Sequence, residues 1–467
     1  MAHMSRSRGS AGAILILCLM SVVSGFLLLH RVGSLRRTAG STSPRLVSIE
    51  PLPAMEGETC QWVPASAGSP WMPLAIQEQQ SRTNPAQRSG DAVRADVQKR
   101  KPVRVLRDPG MAFAGIAVDP VRDEVVMTDE NLFSILVYDR LENTPPRAAM
   151  SEPKRMIRGL ETQVEFNCGI YVDPASGDIY SPNNDSLHSL VIFDRSAKGN
   201  VPPTRKLVTP HSSFGIAVDE QTQEMFVTVQ DDHAVVVWKK SASGKDLPVR
   251  TLQGSRTLLA DPHGIAVDDK RGLLFVANWG TTNERPPYGS QHERYDGGPK
   301  EWGVALNDTV TGSGKIFPPS ITVYPKGASG DTPPLRVIQG PKTQLNWPTA
   351  IAVDSAHGEI FVANDTGDAV AVYQVTANGD AEPVRVIKGP KSLVKNPTGV
   401  AYDAKNEELW VSNFGNHTAT VYKRTAAGDT PPLRVIRSAP LNAPATMLGN
   451  AYNVTYDTKR DEILVAT

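Results

Sequence analysis

From about residue 103 onward, short apolar runs of four to seven residues alternate with polar turns rich in Gly, Asn, Asp and Pro. The runs are β-branched and too short for helices, which predicts strands joined by tight turns. One phrase recurs seven times: Gly115-Ile-Ala-Val-Asp119, Gly169-Ile-Tyr-Val-Asp173, Gly215-Ile-Ala-Val-Asp219, Gly264-Ile-Ala-Val-Asp268, Ala350-Ile-Ala-Val-Asp354, Gly399-Val-Ala-Tyr-Asp403 and Asn453-Val-Thr-Tyr-Asp457. Its aspartates are 54, 46, 49, 86, 49 and 54 residues apart. The fifth unit shows the layout most plainly. Ile351-Ala-Val-Asp354 is followed by Glu359-Ile-Phe-Val-Ala-Asn364, Ala369-Val-Ala-Val-Tyr373 and Val384-Arg-Val-Ile-Lys388, with a turn between each pair. Four short strands repeated at this period predict an all-β fold, a β-propeller.

The last unit supplies two strands and then the chain ends. Upstream of the first unit, Val103-Arg-Val-Leu106 matches a fourth strand. The expectation is therefore seven four-stranded blades, closed by an N-terminal strand that completes the last blade and hides two sheet edges. Six blades with irregular ends is the alternative. Gly-Ile-Ala-Val-Asp, a strand ending Val-Ala-Asn, and then Val-x-Val-Tyr resemble the NHL-repeat and YVTN-type propellers over about 103–467. Those families include carbohydrate, protein and nucleic-acid binders, and also lyases and lactonases. The resemblance thus implies a fold and leaves activity open.

Ahead of the repeats, residues 11–29 carry no charge and are flanked by arginines on both sides. Such a run is long enough to cross a bilayer as a helix. It is expected to be an export signal or membrane anchor, which puts the propeller outside the cytoplasm, membrane-anchored or secreted. Residues 31–100 are rich in Arg, Ser, Pro, Gln and Gly and read as a flexible tether. The division is then a helix at 1–30, a tether at 31–100 and a propeller at 101–467, with an insertion at about 280–319.

Lys+Arg and Asp+Glu both number 49. That balance argues against a nucleic-acid partner, which would need a basic face. The chain has three cysteines, one of them in the apolar run. Cys60 and Cys168 could pair or stay as packed thiols. No Cys-x-x-Cys motif provides a haem or thiolate-zinc site. The repeated Asp ends each inner strand before a turn, where its carboxylate can accept amides two residues on. Turn chemistry accounts for it without a metal.

The informative positions are those that vary where the repeat is otherwise regular. Residues before the inner strand and after the second strand share one face of a propeller, around the channel mouth. On that face His263 is the first candidate for ligand binding, followed by His211, Asn278, Trp279, Trp347, Asn364, Asn413 and, from the insertion, Tyr295. Amides and imidazoles give directional bonds, and rings give apolar area. A satisfied turn histidine is the plainer reading of His263, and turn closure is the plainer reading of the asparagines. The insertion also carries Arg285, His292, Glu293 and Trp302, which suit a lid or a partner-contacting arm. The expected function is a non-catalytic binding scaffold for a protein or cell-envelope polymer, with no catalytic residue and no cofactor singled out. The alternative is a propeller-fold lyase or lactone hydrolase, with a divalent cation at the channel mouth held by His263, His211 and an acidic group.

Overall fold

A computed structural model describes residues 109–185, 187–282 and 315–443, together with Lys99 and the strands at 454–457 and 462–465. Residues 1–98, with the apolar run, most of the tether and Cys60, lie outside the described residues, as does Val103-Arg-Val-Leu106. Among the described residues no helix is long and apolar enough to cross a membrane.

The repeats build an all-β propeller of six four-stranded antiparallel blades. Their inner strands are Phe113–Asp119, Tyr171–Val172, Ser213–Asp219, Pro262–Asp268, Pro348–Asp354 and Pro397–Asp403. Their outer strands are Arg155–Arg158, Arg205–Val208, Arg250–Gln253, Arg336–Ile338, Arg385–Lys388 and Arg434–Arg437. The middle strands are buried nearly throughout, and the core lies between neighbouring blades. The cluster around Phe275, Ile321, Ile360 and Tyr373, for example, joins the fourth blade to the fifth.

Two devices join each blade to the next. The first explains the glycine of the repeat. A Cβ on Gly115 would stand 2.4 Å from the Cys168 carbonyl, one on Gly169 2.4 Å from that of Phe214, and one on Gly215 2.3 Å from that of His263. Only glycine lets the inner strands converge this closely. The second is a polar clasp. The loop before each outer strand reaches back to the outer strand of the preceding blade, as in the bridges Ile157↔Gly199, Leu252↔Gly330 and Ile387↔Gly428.

The expectation of seven blades is corrected by the same two devices. A Cβ on Gly399 in the sixth blade would meet the Ala114 carbonyl of the first at 2.4 Å. The first blade's loop clasps the sixth blade's outer strand, with Thr144 N–H donating to the Val435 carbonyl at 2.8 Å and Arg437 N–H to Thr144 Oγ1 at 2.8 Å. The outer strand of the closing joint is Arg434–Arg437, already in sequence with its own blade, so no N-terminal strand is needed there. The seventh copy pairs Val454–Asp457 with Glu462–Val465 in a separate two-stranded sheet.

The repeated aspartates are turn formers. Asp119 accepts the amides of Val121 and Arg122, and Asp354 those of Ala356 and His357. Most also take a cation from the next blade: Lys240 to Asp173 at 2.8 Å, Lys326 to Asp219 at 2.5 Å, and Arg424 to Asp354 at 3.8 Å. Arg140 closes the ring in the same way, 3.9 Å from Asp403 and 2.9 Å from Glu408.

Candidate functional site

The inner strands surround a central cavity of about 120 Å³, lined by Gly115, Gly169, Gly215, Gly264, Ala350 and Gly399 with their neighbours. Each long inner strand slips register near its start. In the fourth blade the slip falls between Pro262 and Ile265 and so covers His263. A bulge of this kind turns a side chain away from the pleat.

Beside the bulge, one backbone bond recurs in all six blades. The residue after the second strand, or in the second blade the one after that, donates its amide to the loop leading into the inner strand: Glu130 to Ala112, Asn184 to Phe166, Gln230 to Ser212, Trp279 to Asp261, Asp365 to Trp347 and Phe414 to Asn396. Five of the accepting residues, Phe166, Ser212, Asp261, Trp347 and Asn396, have φ between 40 and 60°. For a bulky residue such as Trp347 that conformation is unusual. The recurring amide holds each of them there.

At the third, fourth and fifth blades these positions form one aromatic stack. His263 lies 3.6 Å from Trp279, ring centroid to centroid, at an interplanar angle of 12°. Phe214 lies against His263 at 4.4 Å, its ring tilted by 59°. Trp279 stacks on Trp347 at 4.5 Å, and Trp347 is 41% exposed, so the stack ends on an open tryptophan. Offset stacking of this kind adds to area burial.

The polar bonds fix the histidine. Asn184 Nδ2 donates to Gln230 Oε1 at 2.6 Å, which leaves Gln230 Nε2 to donate to His263 Nε2, also at 2.6 Å. The ring proton then sits on Nδ1 and is donated to the Asp261 carbonyl at 3.0 Å. Burial pushes the His263 pKa down to about 3, so the ring is neutral. Both nitrogens are occupied, which is the satisfied-histidine arrangement. Asp261 is the reverse case. Burial raises its carboxyl to about 6 despite a hydrogen bond from Thr281, and Asp231 adds to the rise. Glu130 is raised to about 7 by burial, with Asp129 and Asp365 pushing the same way. The Cys168 thiol beside it is driven well up, first by burial and then by Glu130.

The other residues singled out from sequence fall in two groups. His211 stands in a neighbouring cluster, with Nδ1 3.3 Å from the Asp185 carbonyl, Nε2 3.8 Å from Asp231 and its ring 5.0 Å from that of His188. Asn278, Asn364 and Asn413 are buried and bonded to the turn backbone. Their Oδ1 atoms accept the amides of Ala260, Asn346 and Lys395. Tyr295 lies outside the described residues. The insertion's stem is Thr281–Thr282 paired with Lys315–Ile316, between the second and third strands of the fourth blade as the sequence suggests.

The residues that hold the mouth together, Gln230, Asn184, Asp261, Glu130 and Asp365, do not stand out from sequence. The signal lay one position beyond the repeated asparagine. In the third blade that asparagine's place is taken by Val229, which pairs with Ala234 as Asn364 pairs with Ala369. Among the described residues, no three His, Cys, Asp or Glu side chains converge as a metal ion would require.

No protein-family model matches this chain, and no curated protein matches it. Solved structures match in number, 1110 chains, so the likeness does not select among functions. One of them is hydrazine synthase of Kuenenia stuttgartiensis, at 12% identity and a TM-score of 0.45, covering 69% of this chain and 99% of that one. So remote a likeness carries no argument about what this propeller does.

Proposed function

We propose that the chain is an NHL-like binding scaffold, exported and held at a membrane by residues 11–29, which takes a protein or envelope polymer at its channel mouth. The observation that carries this reading is the aromatic stack ending on the open face of Trp347. Large rings presented at low entropic cost are the usual anchors of a recognition surface. The same stack consumes the catalytic potential of His263, whose lone pair is bonded to Gln230. The metal-dependent lyase or hydrolase reading keeps one favourable observation, the approach of His211 to Asp231 at 3.8 Å. It needs a third ligand, for which Glu293 of the insertion is the candidate.

The test uses the full chain purified in detergent and immobilised. Isolated envelope polymer and envelope protein are passed over the wild type and over Trp347→Ala. Retention that falls several-fold in the variant, with unchanged melting, supports the scaffold. Equal retention by both forms refutes a site at Trp347. Protease protection of the propeller in intact cells checks export, and digestion from the cytoplasmic side alone would refute it. Bound divalent metal that is lost in Asp231→Asn would favour the enzymatic reading instead.

A further inference from the structure

The rings of the stack are bordered by carboxylates. Asp365 follows the fifth blade's second strand and donates its amide to the Trp347 carbonyl, and its carboxylate accepts a bond from Asn396 at 3.1 Å. Asp261 precedes His263, with Oδ1 3.5 Å from the ring. Asp231, Asp368 and Glu130 stand close enough to act electrostatically on these two. Lys395, the lysine beside them, is bonded to Asp368 at 2.7 Å. The amides of Gln230 and Asn184 are bonded to each other and to His263. The mouth therefore offers π-faces and negative charge together.

Deepening the scaffold reading and resting on it, we propose that the ligand presents an organic cation, a lysine or arginine side chain of a partner protein, laid on Trp347 with Asp365 and Asp261 as counter-charges. A tryptophan face attracts such a cation through its quadrupole, more strongly where water is partly excluded. A flat guanidinium also suits a continuing stack. Asp261 at about 6 and Glu130 at about 7 titrate in the range that makes this visible. Asp261 is faced by Asp231, His233, His263 and Thr281. Glu130 is faced by Asp129, Cys168 and Asp365, and Asp365 by Asp368 and Lys395. A cation binds the ionised forms, so affinity should fall as Asp261 and Glu130 take up protons.

The experiment is calorimetric titration of the full chain, into the millimolar range, with acetyl-Gly-Arg-Gly-amide and acetyl-Gly-Lys-Gly-amide. The same tripeptide with citrulline in place of arginine is the neutral control, and chitohexaose is the uncharged polymer control. The cationic peptides should bind, with the citrulline peptide and the Trp347→Ala variant each about ten-fold weaker. Asp365→Asn should weaken them as well, and affinity should drop between pH 7.5 and 5.5. Citrulline binding as well as arginine overturns the proposal. So does retention of affinity by Trp347→Ala with an unchanged melting curve. Chitohexaose bound through Trp347 while the cationic peptides are ignored sinks the cation and leaves the scaffold standing. If no probe binds and Trp347→Ala also leaves envelope retention unchanged, both readings fall.

Discussion

Replacing His263 with Phe should change how stability depends on pH, because a buried neutral imidazole is a proton debt. Its pKa is about 3 in the folded protein against an ordinary value of 6.5. Above pH 6.5 both states carry a neutral ring and the shift contributes nothing. Below it the unfolded chain takes up a proton that the folded one refuses, and stability falls by about 1.4 kcal/mol per pH unit until pH 3. Between pH 6.5 and 4.5 the loss comes to about 2.7 kcal/mol. Asp261 works in the opposite sense. Its raised carboxyl, at about 6 against 3.8, makes the folded state the better proton acceptor, so stability rises as pH falls through that window. In the wild type the two slopes nearly cancel between pH 6 and 4. His263→Phe keeps the ring stack but takes from Gln230 Nε2 its short bond, leaving the long one to the Asp261 carboxylate, and from the Asp261 carbonyl one of its two donors, at a cost of about 1–3 kcal/mol. The variant should therefore be less stable than the wild type at pH 7 and should lose that deficit, or reverse it, near pH 4.5. Denaturant midpoints of both proteins across pH 4.5–7.5 measure this directly. A difference between them that stays constant with pH would refute the buried neutral histidine.

Three further outcomes follow from the joints. Lys326→Met should destabilise the protein by about 1–3 kcal/mol at neutral pH by leaving Asp219 buried without its cation. Asp219 sits at about 2, so the wild type's benefit is present above pH 3.8 and fades as pH falls toward 2. Wild-type and variant denaturant midpoints should converge over that range, and parallel curves would count against the ion pair. Gly215→Val should cost about 3 kcal/mol or more, since its Cβ would stand 2.3 Å from the His263 carbonyl; a melting temperature within a degree or two of wild type would contradict the close approach. Removing residues 445–467 should leave thermal stability nearly unchanged, whereas Thr144→Ala should cost about 1 kcal/mol. The reverse order in a calorimetric scan would mean that the last repeat belongs to the ring.

The blade was readable in the sequence because its periodicity is imposed by geometry that acts on every copy. Asp at the turn and the apolar alternation answer the same local demand in all six blades, and glycine at the inner strand in five of them. The number of blades was less readable, because a seventh Asn453-Val-Thr-Tyr-Asp457 meets the local demand as well. Closure is decided by contacts between residues about 290 apart, such as Thr144 with Arg437. The candidate site was half legible. His263, Trp279 and Trp347 stand out as breaks in a repeat, and the structure stacks them. Gln230 and Asp261 do not stand out, since a polar residue in a polar loop has no contrast against its neighbours. Their part emerges only when the bulge at His263 brings three blades together.

Several departures from the repeat meet at one joint. Between the fourth and fifth blades, the repeated glycine is Ala350, packed against Gly264. The cation that other blades place after the third strand is Val375, buried in the shared core. Asp268, lacking that partner, is served instead by Arg271 at 2.8 Å and Ser355 at 2.8 Å, much as Asp119 of the first blade is served by Arg122 at 2.8 Å. Trp279 and Trp347 stack across this same joint, and the insertion rises from its fourth-blade side. Apolar packing of Val375 takes the place of the interblade ion pair there, while Trp279 and Trp347 stand where most other blades carry polar residues. The fourth-to-fifth joint is thus where the loss of the interblade ion pair, the replaced glycine, the ring stack and the insertion coincide.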